Sequence, residues 1–269
     1  MEAYTSFAKV YDTFMDETPY EDWAFYLHEM IQKYGVSQPT DAGRVIVKEN
    51  ALESERNLVV DLGCGTGAMT EQLASYGYDM IGIDNAEEML SIAMEKQALT
   101  GSKILYLLQD MRELELYSTV GTIVSVCDSV NYLLEEEDLL TTFELVNNYL
   151  YPGGIFIFDF NTVYKYEEVI GDTTIAENRD DCSFIWENYY HLEEQINEYD
   201  LTIFVREGKE ECYRKFTETH YQRGYTLEQM RSLIEQAGLR FVEAVDADTH
   251  EEVTDTSERI YIIARECGK

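Results

Sequence analysis

The run Val59-Val60-Asp61-Leu62-Gly63-Cys64-Gly65-Thr66-Gly67-Ala68 constrains the fold of this 269-residue chain more than any other stretch. It begins as a short apolar strand ending on an acid, passes through a bend with three alternating glycines, and opens a helix. Glycine lets backbone N–H groups approach a ligand with no Cβ in the way. Three of them directly after an acidic strand end exceed what a plain strand-to-helix corner needs, so the bend reads as a cofactor cradle.

The surrounding residues repeat the rhythm. Apolar strands are expected at Leu58–Asp61, Met80–Asp84, Ile104–Leu108, Ile123–Cys127 and Ile155–Phe160, with helices at Ala68–Tyr76, Ala86–Leu99 and Glu136–Leu150. Such alternation predicts a parallel sheet covered on both faces, doubly wound through right-handed crossovers. A helix over Leu227–Ala237, closed by Gly238, precedes strands Arg240–Val245 and Arg259–Arg265. Only a loop separates those two, so they pair antiparallel at the sheet edge. The expectation is a Rossmann-like seven-stranded α/β sheet with an antiparallel final strand. Ahead of it, Phe7, Val10, Tyr11 and Phe14 recur at helical spacing, Pro19 opens a helix over Tyr20–Tyr34, and RVIV (44–47) suits a short strand. After residue 165 the helical period lapses. SFIWENYYHL (183–192), EYDLTIFV (198–205) and CYRKFTETHYQ (212–222) predict antiparallel hairpins. The chain thus divides into an N-terminal helical cap (1–50), a Rossmann-like domain (51–170 and 220–269) and an inserted antiparallel β subdomain (171–219).

Two cofactor classes compete for the bend. Gly63 to Ala68 satisfies G-x-G-x-x-A, the fingerprint of an NAD(P)-dependent oxidoreductase, with a pyrophosphate on the helix N-terminus. Read as D-x-G-x-G-x-G, the same run resembles the first motif of class I S-adenosylmethionine-dependent methyltransferases. Asp61 would repel a pyrophosphate but suits a cofactor whose amino-acid end carries an ammonium. The antiparallel final pair and acids at three successive strand ends favour the methyltransferase too. The resemblance covers 58–165 and 224–269. FAKVYDTFMDETPYEDW and the hairpin insert are similar to small bacterial members whose insert lids the substrate site. A third reading is a non-catalytic cofactor-binding protein.

Asp84 closes the second strand, where a carboxylate accepts both ribose hydroxyls in either class. The resemblance implies more. It places Gly63, Cys64, Gly65 and Gly67 in the cofactor bend and Asn85 and Met89 beside the adenine. Asp110 takes the exocyclic amino group with Met111 on the ring, and Cys127, Asp128 and Ser129 line the methionine moiety. Asp110 also suits a helix N-cap, and Cys127 a small core residue. In the resembled subgroup the N-terminal helix folds over the cofactor, which makes Tyr4, Tyr11 and Trp23 candidates. Tyr4 joins the cofactor set, and the Tyr11 hydroxyl stands near the methyl group; the same aromatics equally suit the apolar face of a helix. Asn161, His220, Arg223 and Tyr225 face the carboxyl ends of the strands, where ligands bind. Tyr11, Asn161 and His220 are the catalytic candidates, His220 as a base or as a structurally bonded ring.

Charge and absences narrow the acceptor. With 20 Lys+Arg against 53 Asp+Glu, net charge −33, the chain is ill suited to a phosphate backbone or an anionic membrane. Strand four runs into CDSVNYL, without the Asn/Asp-Pro-Pro-Tyr run or the Pro-Cys nucleophile of base-modifying methyltransferases. Five scattered cysteines (Cys64, Cys127, Cys182, Cys212, Cys267) form no CxxC, so neither a disulfide framework nor a metal site is expected. No signal peptide and no apolar run of about 18–20 residues is visible, which points to the cytoplasm. Acid clusters such as Glu135-Glu136-Glu137-Asp138 read as solvated surface. The expected partner is a small-molecule methyl acceptor. The accepting atom stays open, as does the oligomeric state, with which a homodimer is compatible.

Overall fold

A computed structural model describes residues 7–40, 51–208 and 212–269. Tyr4 and the RVIV run lie outside the described residues. The chain opens with α1 (Ala8–Phe14) and α2 (Tyr20–Tyr34), as the aromatic spacing predicts. Next come α3 (Ala51–Asn57), β1 (Leu58–Leu62), α4 (Ala68–Ser75), β2 (Asp79–Asp84), α5 (Glu87–Thr100) and β3 (Leu105–Leu108). Then follow β4 (Val120–Ser125), α6 (Glu136–Tyr149) and β5 (Leu150–Asn161). A second group holds β6 (Thr174–Asn178), β7 (Cys182–His191), β8 (Ile196–Arg206) and β9 (Tyr213–Arg223). The chain returns through α7 (Leu227–Gln236), β10 (Leu239–Asp246) and β11 (Arg259–Glu266).

The main sheet has the order β10-β11-β5-β4-β1-β2-β3. β1 to β5 run parallel, and β11 lies antiparallel between β5 and β10, one place inside the edge. Strand order reverses between β1 and β4, so a crevice opens at their carboxyl ends, the usual ligand position in such sheets. The period of two along β5 sends Phe156, Phe158 and Phe160 into the core beneath α6 and α7. Ile155 and Ile157 pack on the opposite face with Leu27 and Ile31 of α2. Each fully buried phenylalanine contributes about 1.5–3 kcal/mol.

The second sheet is fully antiparallel, in the order β6-β7-β8-β9. Its apolar face, with Phe184, Leu201 and Ile203, packs on Val10, Phe7 and Phe14 of the α1 segment. The rings of Phe14 and Phe184 meet edge-on at 4.7 Å. Sequence reasoning missed β6, a mostly exposed edge strand without an apolar alternation.

β4 stops at Ser125, two residues short of the expected Cys127, because Cys127 and Asp128 both take left-handed backbone (φ 60° and 53°). That conformation costs a side-chain-bearing residue roughly 1–2 kcal/mol. The buried Asp159 carboxylate offsets the strain: Cys127 N donates to Oδ2 at 3.1 Å and Asp128 N to Oδ1 at 2.8 Å. Arg259 Nη1 stands 3.7 Å from the same carboxylate, and its guanidinium lies 4.2 Å above the Trp23 ring. Asp159→Ala strands two amides and a largely buried cation. It should lower the unfolding free energy by about 3–5 kcal/mol in urea titrations; a loss below about 1 kcal/mol would refute this role.

Candidate functional site

A cavity of about 410 Å³ opens at the carboxyl ends of β1, β2 and β4. The glycine bend forms its floor. Gly63, Gly65 and Gly67 all have left-handed φ (81°, 54° and 76°). A Cβ on Gly63 would stand 2.6 Å from Ser129 Oγ, and one on Gly67 2.5 Å from the Tyr106 hydroxyl. A Cβ on Gly65 would meet nothing within 4 Å, so the bend has open space there. Gly63 N and Cys64 N both donate to Ile83 O (2.7 and 2.9 Å), fixing the bend to β2.

Three acids stand around this floor. Asp84 Oδ2 accepts from Gly65 N at 2.7 Å and Oδ1 from Ala86 N at 2.9 Å, while burial pushes its pKa up. Asp61 is buried beneath the bend, with Thr70 Oγ1 donating to Oδ2 at 2.6 Å. Burial raises its pKa to about 7, the Thr70 hydrogen bond opposes the rise and the Asp84 charge adds to it. Asp110 caps the 3-10 turn Met111–Glu113 by accepting from Arg112 N. The Arg112 guanidinium also grips it (2.7 and 3.0 Å) and holds its carboxyl below the usual carboxylate range. Asp110 therefore is an N-cap and lines the cavity as well.

α1 closes the cavity from above. Tyr11 lines it, and Asp12 ties the helix down: Thr66 Oγ1 donates to Asp12 Oδ1 at 2.7 Å and Lys96 Nζ stands 2.6 Å from Oδ2. On the sheet side, Cys127 lines the wall with its thiol pKa pushed up by burial and by Asp159, so it stays a thiol.

The structure gathers Tyr11, Asp61, Gly63, Cys64, Gly65, Asp84, Asn85, Met89, Asp110, Met111 and Cys127 around one cavity. Gly67 is instead the N-cap of α4, and Asp128, Asn161, His220 and Trp23 stand outside the lining. Asp128 Oδ2 accepts from Gln222 Nε2 (2.6 Å) and Asn161 Nδ2 (3.1 Å), while Asn161 Oδ1 accepts from Lys165 Nζ. Arg223 and Tyr225 donate to the Leu134 and Leu133 carbonyls, which fixes the chain leaving β9. His220, only 2% exposed, has Nδ1 3.2 Å from the Tyr132 hydroxyl, and Tyr132 does line the cavity. Sequence reasoning missed Tyr132, Tyr20, Thr66 and Arg112 as lining residues. Thr66 between two motif glycines, and Tyr132 just past the fourth strand, stood at positions that signal a ligand wall. Among the described residues no group of three His, Cys, Asp or Glu side chains is placed to hold a metal ion. None of the described helices is long and apolar enough to cross a membrane.

Comparison with known proteins agrees with this geometry. Residues 59–154 match the family model described as a methyltransferase domain. A Geobacillus sp. (strain WCH70) protein named as a methyltransferase is 32% identical over 262 residues, covering 97% of this chain and 99% of its own. YqeM of Bacillus subtilis (strain 168), also named as a methyltransferase, is 33% identical, with 97% and 96% covered. Among solved structures, an S-adenosylmethionine-dependent methyltransferase from Clostridium acetobutylicum ATCC 824 superposes with a TM-score of 0.82 at 28% identity. That match covers 99% of this chain and all of the other.

The buried Asp61 carries a pH signature. Its folded pKa of about 7 lies above the ordinary 3.8, so the native state holds more protons than the unfolded one between those values. Stability from this group therefore falls as pH rises from about 4 to 7, by at most about 1.4 kcal/mol per pH unit. Asp61→Asn should flatten that part of the curve in urea titrations at stepped pH. An identical slope in both proteins would contradict the assignment.

Proposed function

We propose that this chain, which belongs to the class I S-adenosylmethionine-dependent methyltransferases, transfers the cofactor's methyl group to a small-molecule acceptor. The chain is an enzyme of that family, and S-adenosylmethionine is its cofactor. Family membership retires the dinucleotide reading of the bend. The observation that best supports the residue roles is the open space over Gly65, flanked by Asp84 and floored by the buried Asp61. This set of side chains fits the cofactor: carboxylate acceptors for ribose hydroxyls and an ammonium, apolar Met89 and Met111 for the adenine.

When bound, the cofactor supplies an electrophilic methyl group on a sulfonium. In our reading Asp84 accepts the ribose hydroxyls, Asp61 faces the ammonium and Asp110, steadied by Arg112, accepts from the adenine amino group. Positive charge is lost from sulfur during transfer, so these acids serve binding rather than the transition state. Tyr11 and α1 exclude water from the reacting centre. The insert (171–219) acts as a lid over the acceptor, with α1 folded over the cofactor. Support for the lid comes from the packing of the second sheet on α1, which walls the cavity. The net charge of −33 disfavours a polyanionic acceptor.

Calorimetry tests the assignment. S-adenosylmethionine should bind with saturation where NAD(H) does not, and Asp84→Ala should weaken it by about 1.5–3 kcal/mol. Unchanged affinity in a folded variant would remove Asp84 from the site. An ammonium placed on Asp61 lowers its pKa, so binding near pH 7 should release protons, read from heats in buffers of different ionisation enthalpy. Asp61→Asn should abolish that release.

A further inference from the structure

The second sheet carries a buried polar chain that reaches the cavity wall. Glu218 Oε2 lies 3.3 Å from His220 Nε2, and His220 Nδ1 lies 3.2 Å from the hydroxyl of Tyr132. The Tyr199 hydroxyl stands 2.7 Å from that of Tyr132, and the Tyr199 ring stacks flat on His220 at 4.8 Å, which limits rotation of the imidazole. Glu218 is 6% exposed, and its Oε1 accepts from Phe7 N at 3.0 Å, at the start of the segment that covers the cavity. A carboxylate has only acceptors to offer, so Glu218 requires the hydrogen on Nε2. That leaves Nδ1 bare to accept from Tyr132.

We propose that Tyr132 is a catalytic residue that takes a proton from the methyl acceptor, and that His220 and Glu218 are its positioning residues. This rests on the methyltransferase reading and deepens it: the acceptor belongs to the class whose nucleophilic atom must lose a proton, a hydroxyl or a protonated amine. The acceptor atom gains the methyl group as the carbon–sulfur bond breaks, and the cofactor leaves as a neutral thioether. The acceptor's proton passes to the Tyr132 oxygen, and the Tyr132 proton passes to His220 Nδ1. The resulting imidazolium is held against Glu218, in surroundings where such a pair is strong. On product release Tyr132 gives its proton to water and takes one back from His220 Nδ1, so each turnover sends one proton to solvent. Phe7 N also binds Glu218, which ties the segment leading into α1 to this chain of groups.

The test uses the full chain with S-adenosylhomocysteine. Nitrogen-15 NMR of histidine-labelled protein should show His220 as the Nε2–H tautomer, with an Nδ1 resonance that moves in Tyr132→Phe. This arm needs no acceptor; an Nδ1–H tautomer would overturn the proposal. In parallel, methyl transfer from S-adenosylmethionine to tyramine, catechol and glucosamine is followed as kcat and KM. On any of these that the native enzyme methylates, Tyr132→Phe and His220→Gln should lower kcat by about 100-fold or more. KM for S-adenosylmethionine should stay the same, and Glu218→Gln should lose less than either. Equal kcat in Tyr132→Phe would overturn the proposal with the underlying reading intact. Failure of the native chain to bind S-adenosylhomocysteine would remove the underlying reading itself.

Discussion

The carboxylate of Asp84 accepts one backbone hydrogen from Gly65 and another from Ala86, at 2.7 and 2.9 Å, and the site is arranged around that pair of bonds. They join the glycine bend after β1 to the segment that starts α5, so two crossovers of the sheet share one anchor. The bend can meet this carboxylate only because Gly63, Gly65 and Gly67 adopt a backbone that side chains resist. Burial makes the anchor matter more, since an unmet charge there would be costly.

A similar device shapes the opposite wall. Asp159 accepts both amides of the left-handed pair Cys127–Asp128 and is itself balanced by Arg259. Strain at that turn re-aims the chain after β4, so that Ser129 supports the bend and Tyr132 reaches the cavity. Above, α1 is only seven residues long, too short to persist alone. It is held by Asp12 through Thr66 and Lys96 on one side and by the second sheet on the other. Closure of the cavity is thereby coupled to the seating of the antiparallel unit.

Much of this was legible in the residues. Continuous apolar runs marked the parallel strands because both faces of those strands are buried, and the alternating glycines marked the bend because few other local structures require them. The strand-end acids stood out because a charge beside a buried strand needs a reason. What escaped was non-local or polar. β6 lacks an apolar face of its own. The backbone of Cys127 and Asp128 depends on an acid more than thirty residues later. Tyr132 meets a histidine 88 residues away, on a sheet whose position no local pattern discloses. His220 and Asn161, expected to face the carboxyl ends of the strands, are placed by tertiary packing outside the cavity lining.

The most direct measurement is a crystal structure of the chain with S-adenosylhomocysteine. The nucleoside should lie over Gly65, its ribose hydroxyls within hydrogen-bond distance of Asp84 and its adenine between Met89 and Met111. A nucleoside bound elsewhere, or a ribose turned away from Asp84, would contradict this placement.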